Sequence, residues 1–248
     1  MQRGLRTHVL TTILSNSPVA DQPTNSAGLD DDQIADLNEQ YAPLNFEARL
    51  QKIYRDFDPD KILVTSSFAA TSAYFLHIIT RVRPDQIIYF IDTGFHFPET
   101  VKYRQHLIDL FNLKVADVRA EAWKHQFTAD EKTYLRDPDF CCSVNKVEPL
   151  EAVKPNFHIW MSSLMRWQTD HRATLPVFEV RRNIIKFNPM IDVTRDERDL
   201  YIREHKLPFH PLVEKGYSSI GCTHCTVVGD GRSGRWVGKP KTECGLHL

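Results

Sequence analysis

The chain has 248 residues, 42% of them hydrophobic and 25% charged, which is ample for a buried core without disulfide staples. Lys and Arg number 31 against 32 Asp and Glu, and a net charge of −1 argues against bulk nucleic-acid binding, which needs a clear basic excess. No apolar run approaches the roughly 20 residues of a membrane span. Residues 1–33 are polar, with an acidic run Asp30–Asp32, and read as a loosely ordered arm. Arg3 and Arg6, with no acid nearby, give residues 1–20 a faint likeness to a transit peptide. They lack the apolar core of a secretory signal, so a cytoplasmic location is expected.

From Gln33 to Phe57 the apolar spacing is helical, split in two by Pro43. Lys61–Thr65 predicts a buried strand, followed by a small-residue loop and a helix to about Thr80. Gln86–Ile91 predicts a second strand, ending in Asp92-Thr93-Gly94, and Pro98 opens the next helix. Lys114–Val118 predicts a third strand, and a helix is expected from about Cys141 to Ala152. Phe157–Ser162 and Ile184–Asn188 read as further strands, and Thr194 with Glu197 is a capping box opening a helix to about His205. Such alternation predicts an α/β fold, a parallel twisted sheet with helices on both faces. The expected organisation is the arm 1–33, an α/β domain over 34–228 and a tail over 229–248.

Four features carry chemistry. Thr65–Ser72 joins a strand to a helix through small and hydroxyl side chains, suited to an anion at a helix N-terminus, with Ser66 and Ser67 as candidate donors. No P-loop lysine is present, which counts against an ordinary nucleotide triphosphatase. Asp92 and Gly94 lie at the carboxyl end of a strand, the edge where open α/β sheets bind ligands. Of five cysteines, four form two close pairs about 80 residues apart, Cys141-Cys142 and Cys222/Cys225. An iron–sulfur cluster, a zinc ion or a redox dithiol would each use such a set. Adjacent cysteines favour the cluster, whose ligands sit on different irons, over tetrahedral zinc. The fifth, Cys244, stands in a tail with Arg232, Arg235, Lys239 and Lys241, flanked by glycines that would let it close over a site. Lys241 and His247 are near enough in sequence to favour a nucleophilic thiolate.

Ile91–Thr100, Cys141-Cys142 with Lys146 and Pro149-Leu150, Gly216–Cys222, and Gly234-Arg235-Trp236 running into Lys241–His247 together resemble the assimilatory sulfonucleotide reductases. The likeness spans roughly residues 45–248, and the Glu243–His247 pentapeptide is its most specific part. The resemblance implies an adenine-nucleotide α-hydrolase-like fold and reduction of adenosine 5′-phosphosulfate to sulfite and AMP, in sulfate assimilation and cysteine biosynthesis. Thioredoxin or glutaredoxin would be the reductant and Cys244 the nucleophile. The two cysteine pairs resemble the branch holding one 4Fe–4S cluster on Cys141, Cys142, Cys222 and Cys225. Lys146 matches a basic residue near the cluster, Arg166 one before the loop at Gln168, and Arg232 and Arg235 tail arginines that approach the phosphosulfate, all four being candidates to stabilise the leaving phosphate; Ser66 and Ser67 match a phosphate-binding loop. The chain departs from the family at Ala69, where Gly is usual, and at Asn145, where Arg is frequent. The 3′-phosphorylated substrate is the alternative within this chemistry. A cluster-containing RNA thiolase and a zinc-binding module are alternatives outside it, the former lacking its usual glycine-rich loop here. A homo-oligomer is compatible with the sequence.

Overall fold

A computed structural model describes residues 27–247. The helices are α1 (Asp31–Tyr41), α2 (Phe46–Asp56), α3 (Ser72–Val82), α4 (Pro98–Phe111), α5 (Ala122–Asp130), α6 (Thr133–Arg136), α7 (Pro138–Cys142), α8 (Glu148–Val153), α9 (Asp170–Ala173) and α10 (Arg195–Glu204). The strands are β1 (Ile62–Thr65), β2 (Ile87–Ile91), β3 (Lys114–Val118), β4 (Ile159–Met161), β5 (Phe178–Arg181) and β6 (Ile184–Phe187). Of the expected arm, residues 1–26 lie outside the described residues, while Asp30 already caps α1 in a capping box with Gln33. Pro43 falls between α1 and α2, as its missing N–H and fixed φ require.

The six strands order as β3-β2-β1-β4-β6-β5. Five run parallel, joined by helical crossovers, and β5 pairs antiparallel with β6 at the edge. The expected parallel sheet with helices is thus present, with one antiparallel strand added at its edge. The two residues between β5 and β6 are too few for a crossover and force a hairpin. Its turn places Arg182 at φ +55 without a glycine, so no turn dipeptide announces it.

Side chains alternate across the sheet, and helices cover both faces. Ile62, Val64, Ile88, Phe90, Ile159 and Met161 face a large core shared with α1–α4 and α10. Leu63, Trp160 and Ile184 face a smaller one shared with Leu150 and Val153 of α8. Helical structure is continuous from Pro138 to Val153, but Ser143–Val147 forms a π turn between α7 and α8. Among the described residues no helix is long and apolar enough to cross a membrane.

Candidate active site

The loop after β1 is the first wall. Ser66 is buried; its N–H donates to the Tyr89 carbonyl and its Oγ accepts from the Phe68 N–H. Phe68 sits at φ +48 with its ring fully buried, which turns the chain sharply towards α3. Thr71 precedes α3 without a side-chain cap, so the helix N-terminus is left to whatever fills the space before it. That space is a cavity of about 410 Å³, bordered here by Ser66, Ser67, Ala70, Thr71 and Ser72.

The opposite wall is cationic. Lys146, Arg172, Arg195, Arg198, Arg232 and Arg235 line the cavity against a single carboxylate, Asp199. Desolvation pulls the Arg232 guanidinium down to about 10, with Arg172 and Arg235 adding to the fall and Glu243 and Cys244 opposing it. Arg235 lies 4.4 Å over the Trp236 ring and reaches the Cys225 carbonyl and Ser219 Oγ, both at 3.4 Å. Gly221 leaves it room, since a Cβ there would fall 2.8 Å from Nη1.

Cys244 borders this same cavity, together with Leu246 and His247 from the tail. The tail is closed in this structure. Glu243 is buried and takes Arg172 Nε and Nη2 at 2.8 Å each, while Arg232 Nη2 donates to the Thr242 carbonyl at 2.7 Å. His247 stacks on Trp160 with 12° between the rings. Desolvation and the cations Lys186, Arg172, Arg232 and Lys154 hold His247 well below its ordinary value, so the ring is neutral. Lys241 pairs with Asp139. The charge of Cys244 acts on Lys146 and Arg232, which border the cavity with it.

The other four cysteines surround a second, small cavity beside the first, with Thr93, Phe95, Tyr134, Asn145 and His224. Residues 92–97 bring the pairs together. Asp92 accepts from the Gly94 N–H at 3.0 Å and pairs with Arg119, and the Phe95 carbonyl then accepts from the Thr223 N–H at 2.8 Å. Gly94 is required at φ +70, where a Cβ would also meet the His125 ring at 2.7 Å from Nε2. On the facing side Asn145 donates to Thr128 Oγ1 and to the Cys141 carbonyl, and its Oδ1 meets His125 Nδ1 at 3.0 Å. Burial raises the thiols of Cys141 and Cys225 and pushes Cys142 up to about 11. Among the described residues no three or more His, Cys, Asp or Glu converge on a point close enough for one metal ion. The four cysteines border one small cavity, a thiol donor set whose chemistry suits a thiolate-bound cluster. Lys146 lines both cavities. Desolvation would lower its ammonium, but the charges of Cys222, Cys142 and Cys244 outweigh that and raise it.

Ser66, Ser67, Lys146, Arg232, Arg235 and Cys244 thus meet at one cavity, and Cys141, Cys142, Cys222 and Cys225 at the other. Asp92 and Gly94 shape the loop between them without lining the main cavity. Arg166 is outside it, its guanidinium spent on the Leu175 carbonyl. Arg172, Arg195 and Arg198 were missed. The capping box at Thr194 locates the helix of Arg195 and Arg198, while Arg172 lies apart in α9, and nothing in the local pattern separates a cavity-facing arginine from a solvated one.

A mostly parallel α/β sheet with a cation-lined cavity beyond the carboxyl ends of its parallel strands defines a fold of the adenine-nucleotide α-hydrolase type. Yeast FAD synthetase shares this fold at a TM-score of 0.53 and 13% identity, over 83% of this chain and 72% of its own. The chain belongs to the family of the phosphoadenosine phosphosulfate reductase domain, whose profile matches residues 61–228. It is similar to the phosphoadenosine 5′-phosphosulfate reductase of Gloeobacter violaceus, 37% identical over 92% of this chain and 98% of that one. It is equally similar to the adenosine 5′-phosphosulfate reductase of Mesorhizobium japonicum, 38% identical over 92% and 93%. The solved phosphoadenylyl-sulfate reductase of Candida auris, a phosphate complex, matches at a TM-score of 0.69 and 25% identity, over 80% of this chain and 98% of that one.

Proposed function

We propose that the chain reduces adenosine 5′-phosphosulfate to sulfite and AMP, with a thioredoxin or glutaredoxin as electron donor. The observation that carries this reading is Cys244 at the rim of a cavity with six cationic side chains. The Cys244 thiolate attacks the sulfo sulfur; an S–S bond forms, the S–O bond breaks, and AMP leaves with the electron pair. Negative charge grows on the leaving phosphate oxygen, where Lys146, Arg232 and Arg235 stabilise it. Ser66 and Ser67 with the α3 N-terminus hold the nucleotide. A thiolate of the donor then attacks Cys244 Sγ and expels sulfite with the bonding electrons; the donor's second thiol resolves the mixed disulfide and regenerates the Cys244 thiolate. For that step residues 229–248 act as a catalytic tail that swings open.

The residues of the second cavity fit one 4Fe–4S cluster on Cys141, Cys142, Cys222 and Cys225. Bound there, it would supply structure and a local charge beside Lys146; both reducing electrons come from the donor thiols. The reading of the substrate follows the two cysteine pairs. Arg195 and Arg198, two further cations on the border of the same cavity, favour the 3′-phosphorylated form as second reading. Comparing kcat/KM for the two nucleotides with one thioredoxin decides between them, and a clearly higher value for the 3′-phosphorylated form selects the second. Substrate added without reductant should leave a sulfo group on the peptide carrying Cys244, seen by mass. Cys244→Ser should keep nucleotide binding and lose both adduct and sulfite. A label on another cysteine, or turnover by the Ser variant, sinks the mechanism.

A further inference from the structure

We infer that Glu243 and Arg172 are positioning residues for Cys244: their buried ion pair fixes where the nucleophile meets the substrate. This rests on the role proposed above for Cys244. Glu243 is 2% exposed and Arg172 6%. Both carboxylate oxygens are engaged: Oε1 takes Arg172 Nε at 2.8 Å and Thr169 Oγ1 at 3.1 Å, while Oε2 takes Arg172 Nη2 at 2.8 Å and Arg232 Nη2 at 3.4 Å. The remaining arginine nitrogen, Nη1, donates to Gln168 Oε1, which also accepts from the Met165 N–H at 3.2 Å. The clamp is therefore tied to the loop after β4 and cannot slide. A bidentate arginine–carboxylate pair fixes direction as well as distance, which an apolar contact does not.

Cys244 is the next residue, one peptide unit of ~3.8 Å further on. On its other side Gly245 bends the chain at φ +84, and the His247 carbonyl accepts from His171 Nε2 at 2.8 Å. Adjacent residues of α9, His171 and Arg172, thus grip the tail on both sides of the thiol. With its charge matched by Glu243, Arg172 is engaged in holding the tail rather than the phosphosulfate, so its role is indirect. A buried ion pair contributes little net stability compared with apolar residues of similar size, yet breaking it from one side is costly. That asymmetry separates positioning from plain structural support.

The test uses Glu243→Gln, Arg172→Met and the double variant Arg172→Met/Glu243→Met in the full, cluster-loaded chain. Three quantities are read: the single-turnover rate of sulfo transfer to Cys244 at saturating adenosine 5′-phosphosulfate, the dissociation constant of AMP, and the thermal midpoint. Each single variant should slow sulfo transfer by roughly 30-fold or more, the scale expected for misplacing a nucleophile by about 1 Å, with AMP affinity within about threefold. The double variant should recover the lost thermal stability and stay slow. Recovery of the rate along with the stability would overturn the inference, as would single variants that weaken AMP binding and leave the saturated rate intact. A wild-type chain that acquires no sulfo group on Cys244 would overturn the mechanism itself, and with it this role.

Discussion

Gly221 shows how a residue with no side chain sets up a charged one. Arg235 lies across it, and a methyl group there would displace the guanidinium rather than any backbone. Gly221→Ala should therefore cost about tenfold or more in kcat/KM, in line with losing one oriented cation, while the thermal midpoint barely moves. A large fall in midpoint with unchanged kcat/KM would contradict this. The four paired cysteines and Cys244 were legible in the sequence because thiols are scarce and their spacing has few chemical meanings. Arg172 was not: within Thr169-Asp170-His171-Arg172 it looks like any solvated helix face. Its partner is 71 residues away, a pairing that no local pattern encodes. Arg166 illustrates the converse, a basic residue in the matching segment whose charge the fold directs to a carbonyl.

At the scale of elements, the turn between α1 and α2 depends on one arginine. Arg49, fully buried, donates to the carbonyls of Tyr41, Ala42 and Pro189 and reaches both oxygens of Asp192. It closes the end of α1 and fastens the loop after β6 to it. Arg49→Met should destabilise the fold by roughly 3 kcal/mol, because three carbonyls and a carboxylate lose their donor. Urea unfolding reads this, and a change below about 1 kcal/mol would show that water replaces the guanidinium. The strands and helices flanking this turn could be read from apolar runs and periodicity, with boundaries displaced by a few residues. β5 was not read, since four residues on an edge, with Glu179 and Arg181 alternating with Phe178 and Val180, resemble a polar connection. What makes them a strand is pairing with β6, together with the Asn38 side chain, which bonds both the N–H and the carbonyl of Phe178.

For the molecule as a whole, acid should loosen the segment after α10 before the sheet. His210 is fully buried, its Nδ1 accepting from the Leu212 N–H and its Nε2 facing Thr100 Oγ1 at 3.0 Å. Desolvation brings the ring down to about 4 from its ordinary 6.5. The unfolded chain therefore takes up this proton before the folded one does. Stability that is complete above about pH 6.5 is lost as the pH falls towards 4. His210→Gln should flatten that part of the profile, so that the difference in urea midpoint between pH 7 and pH 5 shrinks relative to the wild type. An unchanged difference would place the acid sensitivity elsewhere. Phe209 and Val213, on either side, border the main cavity, so nucleotide binding should weaken over the same range.

The π turn at Ser143–Val147 has a consequence best put as a matter of phase. An α-helix advances ~100° per residue, so a run of helix can present residues before and after a given point to only one set of neighbours. The wide turn holds one residue more than an α turn and resets the count. Cys141 and Cys142 can then face Cys222 and Cys225, while Leu150 still meets Leu63 and Trp160 under the sheet. Lys146 lies within the reset itself, on the boundary of both cavities. Two requirements that a regular helix would set against each other are met by a single inserted position. Removing one residue there would rotate the cysteine pair out of register with no thiol altered.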